Sequence, residues 1–151
     1  MTSLFYEDLA PGQRYVSGAR TVTETDLVMF SMLSGDWNPI HADEVFSSAT
    51  NFGRRVVHGL FGMSLLTGLM DRAGWFATSG IAMLAIDRWR FAAPIFVGDT
   101  LHVVMEIQEV RLASSGGKGI AGRLFTLINQ RDEVVQEGEI PMLIACRSAS
   151  E

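Results

Sequence analysis

The longest apolar stretch of the chain runs from Leu60 to Trp75 and predicts a helix that is buried on most of its sides. Its large side chains are spread around the helical circumference rather than along one stripe; they are Leu60, Met63, Leu65, Leu66, Leu69 and Met70. A helix with this distribution is typical of the centre of a domain. We therefore expect the rest of the chain to pack around it.

A strand and a shorter amphipathic helix are predicted before this segment. Residues 14–23 include several side chains that favour extended backbone. Thr23 or Thr25 can cap the following helix, in which apolar residues recur at i, i+3 and i+6, and Gly35 can end it. The stripe consists of Leu27, Phe30 and Leu33, flanked by Met29 and Met32. A short helical stretch over residues 43–49 is predicted to follow.

The period of the pattern changes after the long helix. Four β-rich runs, separated by turn residues, are Ile81–Phe91, Leu101–Leu112, Gly119–Gln130 and Val134–Cys146. One long helix followed by strands predicts an α+β fold, an antiparallel sheet wrapped around a central helix. Such a sheet has edge strands, and pairing with a second copy of the chain is one way to cover them.

Composition limits the classes of protein that fit. A length of 151 residues predicts a single domain spanning 1–151, and 48% hydrophobic residues supply its core. The net charge of −5 argues against a nucleic-acid partner. Two small basic islands, Arg54–Arg55 and Arg88–Arg90, could either contact the phosphates of a small molecule or be solvated surface arginines.

The number of cysteines and the character of the apolar segments indicate the cellular compartment. A single cysteine, Cys146, allows no disulfide within the chain and fits a reducing cytoplasm. The first eight residues lack the pattern of a secretory signal, and no apolar run has the length of a membrane span. We expect a cytoplasmic protein with no membrane partner.

The candidate chemistry lies in the loop after the first helix. Asp36 and His41 stand five positions apart, and Pro39 between them stiffens the backbone. A carboxylate and an imidazole that face one cavity can activate a water molecule. Taken as residue types alone, the same pair also fits a helix cap and a loop hydrogen bond.

The whole string around this pair decides between these interpretations. The residues Gly35-Asp36-Trp37-Asn38-Pro39-Ile40-His41 closely resemble the signature of the MaoC-like, (R)-specific enoyl-CoA hydratase family. The resemblance continues through 57–60 (Val-His-Gly-Leu) and 91–100, and covers most of residues 13–146. It implies the hot-dog fold, a homodimer or higher homo-oligomer, an acyl-CoA or acyl-carrier-protein thioester as substrate, and no cofactor or metal.

The resemblance also implies roles for individual residues. Asp36 and His41 match the catalytic pair that activates water for syn addition to a trans-2-enoyl thioester. Gly59 matches the glycine whose N–H binds the thioester oxygen, and its predicted position at the start of the long helix would leave that N–H free. The same glycine could instead serve tight packing of helix on sheet. Asn38 either contacts substrate or supports the loop.

Three further residues are candidates for substrate binding. His58 adjoins Gly59 and is either a third polar group of the site or a structural histidine. Thr67 matches a pocket hydroxyl of relatives, but could equally bond a carbonyl of its own helix. Trp37 lies inside the motif loop, where its bulk could limit the acyl chain. His102 has no evident partner and is expected at the surface.

Two other functions remain open at this stage. Thioester hydrolysis occurs on the same fold, but its acidic residue usually lies on the central helix, and residues 60–70 contain no Asp or Glu. Only Asp71 follows, at the far end. A binding module that retained the acyl-thioester pocket without turnover is the non-enzymatic alternative.

Overall fold

The computed structural model describes residues 3–114 and 116–147, which form four α-helices, eight β-strands and a 3₁₀ turn at Tyr6–Asp8. The helices are α1 (Glu24–Ser34), α2 (Pro39–Ala42), α3 (Glu44–Ser48) and α4 (Gly59–Ala73). The strands are β1 (Arg14–Val16), β2 (Arg20–Thr21), β3 (Gly80–Met83), β4 (Asp87–Phe91), β5 (Thr100–Leu112), β6 (Lys118–Ile128), β7 (Val134–Glu139) and β8 (Met142–Ala145). The predicted α+β class, with an antiparallel sheet and a central helix, is confirmed.

The sheet consists of five antiparallel rows. Long strands β5 and β6 form its middle. β1 and β2 pair with successive parts of β5 on one side, and β7 and β8 pair with successive parts of β6 on the other. β4 then pairs with β7, and β3 with β8. Among the described residues β3 and β4 have one partner strand each, so they form an edge row.

Helix α4 packs against this sheet through one face. Phe61, Leu65, Leu66 and Leu69 belong to the buried core together with inward residues of β5 and β6. Gly74, in the left-handed conformation, ends the helix. The prediction that the helix is buried on most sides is wrong at its start, because Leu60 is 61% exposed.

Helix α1 begins and ends where the sequence indicates. The Thr23 side chain accepts a hydrogen bond from the Asp26 N–H, and Gly35 adopts the left-handed conformation after the last turn. The predicted apolar stripe is only partly correct. Leu27 is buried and Phe30 packs against the core, but Leu33 is 84% exposed, and Met29 and Met32 are exposed as well. In a single chain this helix therefore presents apolar surface to solvent.

Three of the predicted strands are interrupted. Residues 17–19 break the first run, where buried Ser17 accepts a hydrogen bond from the Val103 N–H through its Oγ. Residues 84–86 separate β3 from β4. Pro141 separates β7 from β8, because proline has no N–H to donate to a neighbouring strand. Each break lets one predicted strand continue as two shorter ones.

A buried arginine fixes the far half of α4 to the sheet. Arg123 of β6 donates from Nε to the Ile140 carbonyl at 3.0 Å and lies 3.3 Å from the Met70 sulfur. Its guanidinium also lies over the rings of Phe76 and Phe125. Burial lowers the pKa of Arg123 to about 10, so it stays charged at neutral pH.

A helix that crosses a bilayer needs about 20 predominantly apolar residues. No helix within residues 3–114 and 116–147 combines the length and the apolar character needed to cross a membrane.

Candidate active site

The loop between α1 and α2 is shaped by its own polar side chains. Ser34 Oγ accepts from the Asp36 N–H at 3.2 Å, and Asp36 Oδ1 accepts from the Asn38 N–H at 3.1 Å. Asn38 Oδ1 in turn accepts from the Ile40 N–H at 3.1 Å and caps α2, whose first residue is Pro39. These short-range bonds, together with the fixed φ of proline, hold Asp36 and His41 in one turn of chain.

His41 is held in a defined ring orientation. It is buried, and its Nδ1 donates to the Val56 carbonyl at 2.7 Å. A carbonyl can only accept, so this bond places the proton of neutral imidazole on Nδ1 and leaves a lone pair on Nε2. His41 therefore presents a proton acceptor on the side away from Val56.

The Asp36 carboxylate faces that acceptor. Its Oδ2 lies 3.8 Å from His41 Nε2, which is longer than a hydrogen bond. One water oxygen can contact both atoms at about 2.8 Å each. The Asp36 side chain is 52% exposed, so the pair combines a buried imidazole with a carboxylate open to solvent. Such a pair can hold and deprotonate a water molecule.

His58 contacts both members of this pair. Its Nε2 donates to the Asp36 carbonyl at 3.0 Å, and its ring stacks on His41 with the ring centres 3.8 Å apart. His58 is buried and does not line the cavity described below. The structure thus places His58 in contact with both Asp36 and His41, outside the cavity wall.

A cavity of about 440 Å³ opens beside His41. Its wall is largely apolar and consists of Ile40, His41, Phe52, Val56, Val57, Gly59, Phe91, Ala92, Ala93, Pro94, Ile95 and Gln136. A volume in this range suits a small-molecule ligand, and a mainly apolar lining with few polar groups suits an acyl chain. His41 and Gly59 are thus brought to the same cavity, while Asp36 stands at the outer side of His41.

Gly59 is the first residue of α4, as predicted within one position. Its N–H is therefore one of the helix-terminal donors without an intrahelical partner, at the positive end of the helix dipole. A Cβ at this position would lie 2.8 Å from Cε1 of Phe91. The missing side chain thus lets the Phe91 ring pack over the start of the helix, which matches the packing role that the sequence left open.

The other candidates do not reach the cavity. Thr67 donates its hydroxyl to the Ser64 carbonyl at 2.7 Å, within its own helix, and is absent from the cavity wall. Trp37 is 53% exposed and likewise does not contribute to the wall. Asn38 supports the loop, as described above. For this single chain, the structure does not bring Thr67, Trp37 or Asn38 to the substrate cavity.

Sequence reasoning missed Gln136, a buried polar residue in the cavity wall. It lies in β7, 77 residues from Gly59, and its Nε2 donates to the Gly59 carbonyl at 2.9 Å. Its Oε1 accepts from Trp89 Nε1 at 3.3 Å. The available signal was a glutamine in a β-rich run, two positions before Gly138. Residues two apart in a strand share a face, so Gln136 is expected on the same face as Gly138.

Three of the four arginines in the basic islands are neutralised. Arg55 contacts the carboxylates of Glu24 and Glu44, Arg88 pairs with Glu139, and Arg90 pairs with Glu137. Arg54 forms no ion pair with any carboxylate of the described chain; its guanidinium lies 4.1 Å from the centre of the Phe96 ring. Arg54 lies between Phe52 and Val56, which both belong to the cavity wall.

Asp36, His41 and His58 each offer a possible ligand atom, all within 4.8 Å of one another. The stacking of the two imidazoles works against shared coordination, because a ring nitrogen's lone pair lies in the ring plane and the planes are inclined by only 24°. His58 Nε2 is also engaged by the Asp36 carbonyl. The arrangement suits a water molecule between Asp36 and His41 better than a metal ion.

The antiparallel sheet around one long helix, with an Asp–His pair beside an apolar cavity, defines a hot-dog protein equipped for acid–base chemistry. A Mycobacterium tuberculosis protein described as having a double hotdog fold superimposes with a TM-score of 0.81 at 20% identity, over 99% of this chain and 46% of that one. The model of the MaoC like domain matches residues 8–126. The chain belongs to the MaoC-like domain family.

Relatives of known name support this membership. The 3-hydroxybutyryl-CoA dehydratase of Methylorubrum extorquens is 31% identical over 136 residues, which are 90% of this chain and 81% of that protein. Protein MaoC of Klebsiella aerogenes is 38% identical over 99 residues, 66% of this chain but only 29% of that longer protein. The (R)-hydratase of Aeromonas caviae superimposes with a TM-score of 0.74 at 27% identity, over 93% and 98% of the two chains.

Proposed function

We propose that the protein is a hydro-lyase that reversibly hydrates a trans-2-enoyl thioester to the (R)-3-hydroxyacyl thioester. The observation that carries this proposal is the separation of 3.8 Å between Asp36 Oδ2 and His41 Nε2, beside a cavity that Gly59 also lines. The names of the relatives, a 3-hydroxybutyryl-CoA dehydratase and an (R)-hydratase among them, support the same reaction.

The proposed reaction assigns one task to each group. A water molecule held by Asp36 and His41 attacks Cβ of the enoyl group and gives a proton to this pair. The electron pair of the double bond moves towards the carbonyl, and the Gly59 N–H binds the oxygen on which negative charge develops. The pair then returns a proton to Cα on the same face. One water is consumed, and no cofactor is needed.

The test of this proposal is turnover of crotonyl-CoA by the purified chain. We expect loss of the absorbance of the conjugated double bond, formation of the (R)-3-hydroxyacyl thioester on a chiral column, and no release of free thiol. Rapid thiol release without hydration would instead identify a thioesterase. Binding of the thioester with neither reaction would identify the non-catalytic module.

Neither alternative gains support from the structure or the relatives. Helix α4 carries no carboxylate between Leu60 and Met70, and Asp71 at its far end is exposed, outside the cavity wall. The relatives reported above are named as dehydratases or hydratases where their names state a reaction. Hydration therefore remains the function we propose.

We further propose that Arg54 binds a phosphate of the thioester's carrier. Its guanidinium pairs with no carboxylate among the described residues, and Arg54 lies in sequence between Phe52 and Val56 of the cavity wall. An arginine–phosphate hydrogen bond is charge-assisted. Arg54→Gln should raise KM for crotonyl-CoA at least about tenfold, because a charged hydrogen bond contributes about 1.5–3 kcal/mol. KM for the crotonyl thioester of N-acetylcysteamine, which has no phosphate, should not change.

Arg90→Gln is the matched control, because Arg90 is already paired with Glu137. It should leave both KM values unchanged. An Arg54→Gln variant whose KM rises equally for both thioesters, or for neither, would contradict a phosphate contact.

A second copy of the chain is the partner that we propose for the exposed apolar surface. All four residues of edge strand β3 are exposed, and two of them, Ile81 and Met83, are large and apolar. An unpaired apolar edge favours association. Light scattering after size-exclusion chromatography should give a mass of at least about twice the 16.6 kDa of one chain.

Ile81→Glu should reduce this mass towards that of one chain, because it puts a charge in the proposed interface. Leu112→Glu replaces an apolar residue at the end of β5 that is more exposed than Ile81, and it should have no effect. A wild-type protein with the mass of a single chain would refute the proposed assembly.

A cytoplasmic location is a further proposal, which rests on the single cysteine.

A further inference from the structure

The start of helix α4 is tied to the sheet by a side chain to which the reaction itself assigns no task. Gln136 is fully buried and uses both ends of its carboxamide. Nε2 donates to the Gly59 carbonyl at 2.9 Å, and Oε1 accepts from Trp89 Nε1 at 3.3 Å. A chain of two hydrogen bonds therefore connects strand β4, strand β7 and the first residue of the helix.

The helix is built to receive this carboxamide. Gly59 and Gly62 stand three positions apart and so lie on the same face of α4. A Cβ on Gly62 would lie 2.8 Å from Cδ of Gln136 and equally close to Cδ1 of Ile95. Gly68 on the same helix meets nothing within 4 Å. The absence of a side chain at Gly62 is thus required by the close approach of Gln136.

An anchor at this point has a specific value for the proposed reaction. A glycine in the first turn of a helix has more conformational freedom than any other residue, and helix ends fray readily. The proposed oxyanion donor is the N–H of that glycine, and a donor of this kind is effective only when it is preorganised. Displacements of about 1 Å from productive geometry can cost about 10² in rate.

We propose that Gln136 is a positioning residue, which holds Gly59 so that its N–H is aimed at the thioester oxygen, with Trp89 fixing the carboxamide in turn. This inference rests on the hydratase function proposed above. It predicts that loss of the Gln136–Gly59 bond slows the chemical step, because the donor acts on the charge of the transition state, while binding of the acyl chain is kept.

The first test uses a side chain of similar size that cannot hydrogen-bond. Gln136→Met should lower kcat about tenfold or more with KM changed less than about twofold. Trp89→Phe, which removes the Nε1 donor together with part of the ring system, should give a smaller loss of kcat. Gly62→Ala, which pushes the carboxamide away, should reproduce the loss seen in Gln136→Met, and Gly68→Ala on the same helix should behave as wild type.

The second test separates aiming of the donor from a general effect on the fold. Crotonyl-CoA labelled with ¹³C at the carbonyl is bound to Asp36→Asn, in which hydration is slowed, and its carbonyl stretch is recorded by infrared difference spectroscopy. We expect a shift to lower wavenumber than in water, because the donor polarises the carbonyl. Adding Gln136→Met should return the stretch towards its value in water.

The outcomes distinguish this inference from the function on which it rests. If wild-type protein does not hydrate crotonyl-CoA, the proposed function fails, and the inference fails with it. If wild type is active but Gln136→Met keeps both its kcat and the carbonyl shift, only the positioning role is overturned. If Gln136→Met does not fold, Trp89→Phe and Gly62→Ala decide by the same two measurements.

Discussion

Replacing Asp36 with Asn, or His41 with Ala, is expected to lower kcat by about 10²–10⁴-fold, the usual contribution of a positioned acid or base. Asp36→Asn keeps the Oδ1 acceptor for the Asn38 N–H but removes the negative charge that faces His41. His41→Ala removes the Nε2 acceptor altogether. Steady-state hydration of crotonyl-CoA measures both losses.

The fold should survive both changes. Asp36 is half exposed, and circular dichroism and the urea midpoint should stay close to wild type for Asp36→Asn. His41→Ala loses the bond to the Val56 carbonyl and the stack on His58, so a stability loss of about 1–3 kcal/mol is expected there. The activity loss must therefore be read at a temperature at which the variant is fully folded.

Two substitutions serve as controls of matched chemistry. Asp71→Asn removes a carboxylate at the far end of α4, and His102→Ala removes a histidine of β5; neither residue belongs to the cavity wall. Both variants should turn over like wild type. Activity retained in Asp36→Asn and His41→Ala together, or lost in Asp71→Asn, would refute the assignment, and the latter outcome would revive the thioesterase interpretation.

The Asp–His pair could be predicted from sequence because its geometry is local. Four side-chain hydrogen bonds that shape the loop join residues two to four positions apart, from the Ser34 hydroxyl to the Asn38 cap of α2. Two bonds span a longer separation: His41 donates to the Val56 carbonyl, 15 positions away, and His58 donates to the Asp36 carbonyl, 22 positions away. Hydrogen bonds between residues this close in the chain can be predicted from the order of the residues.

Gln136 and the cavity wall could not be predicted in the same way. Gln136 meets Gly59 only because the antiparallel register aligns it with Phe91 and brings β7 under the start of α4. Nothing near Gln136 in the chain indicates this partner. The same limit explains Thr67, whose hydroxyl could have faced either a pocket or its own helix, and which the structure places on Ser64.

The strands of the middle of the sheet could be predicted from sequence more accurately than those of its outer rows. The central pair β5 and β6 agrees with the prediction within two residues at each end, because both strands are long and are bounded by turns. The outer rows break where the chain must bend around the helix, at residues 17–19, 84–86 and Pro141. Curvature of a sheet depends on all its rows together, so the breaks have only weak local signals.

The exposed apolar residues of α1 show a second limit of prediction from sequence. Leu33 follows the stripe of Leu27 and Phe30 in sequence but turns away from the core of its own chain. Periodicity reports that a face is apolar and does not report what covers it. The proposed second copy is one explanation that keeps the pattern and the structure consistent.

Gly59→Ala is the substitution that tests the oxyanion site most directly. It keeps the N–H and the helix, and it adds a methyl group beside the N–H that we propose as the oxyanion donor. We expect kcat/KM to fall by about 10²-fold, comparable to the lower range for removal of an oxyanion donor, although the donor itself is retained. Gly68→Ala, in open space on the same helix, should cost nothing.

The new methyl group has a second neighbour, and this must be separated from its effect on the substrate. It would lie 2.8 Å from Cε1 of Phe91, whose ring is 56% exposed and can turn away at little cost. Movement of the ring would change the cavity wall and hence the binding of the acyl chain. Gly59→Ala should therefore raise KM as well as lower kcat, with little change in the urea midpoint.

The double variant Gly59→Ala/Phe91→Leu resolves the two effects. The smaller Leu side chain leaves room for the methyl group, so the part of the loss that comes from displacement of the ring should be restored, and KM should return towards its value in Phe91→Leu alone. The loss of kcat should persist, because the methyl group still hinders the carbonyl oxygen at the N–H. Full recovery of kcat in the double variant would show that Gly59 matters only for packing, and the oxyanion would then need another donor.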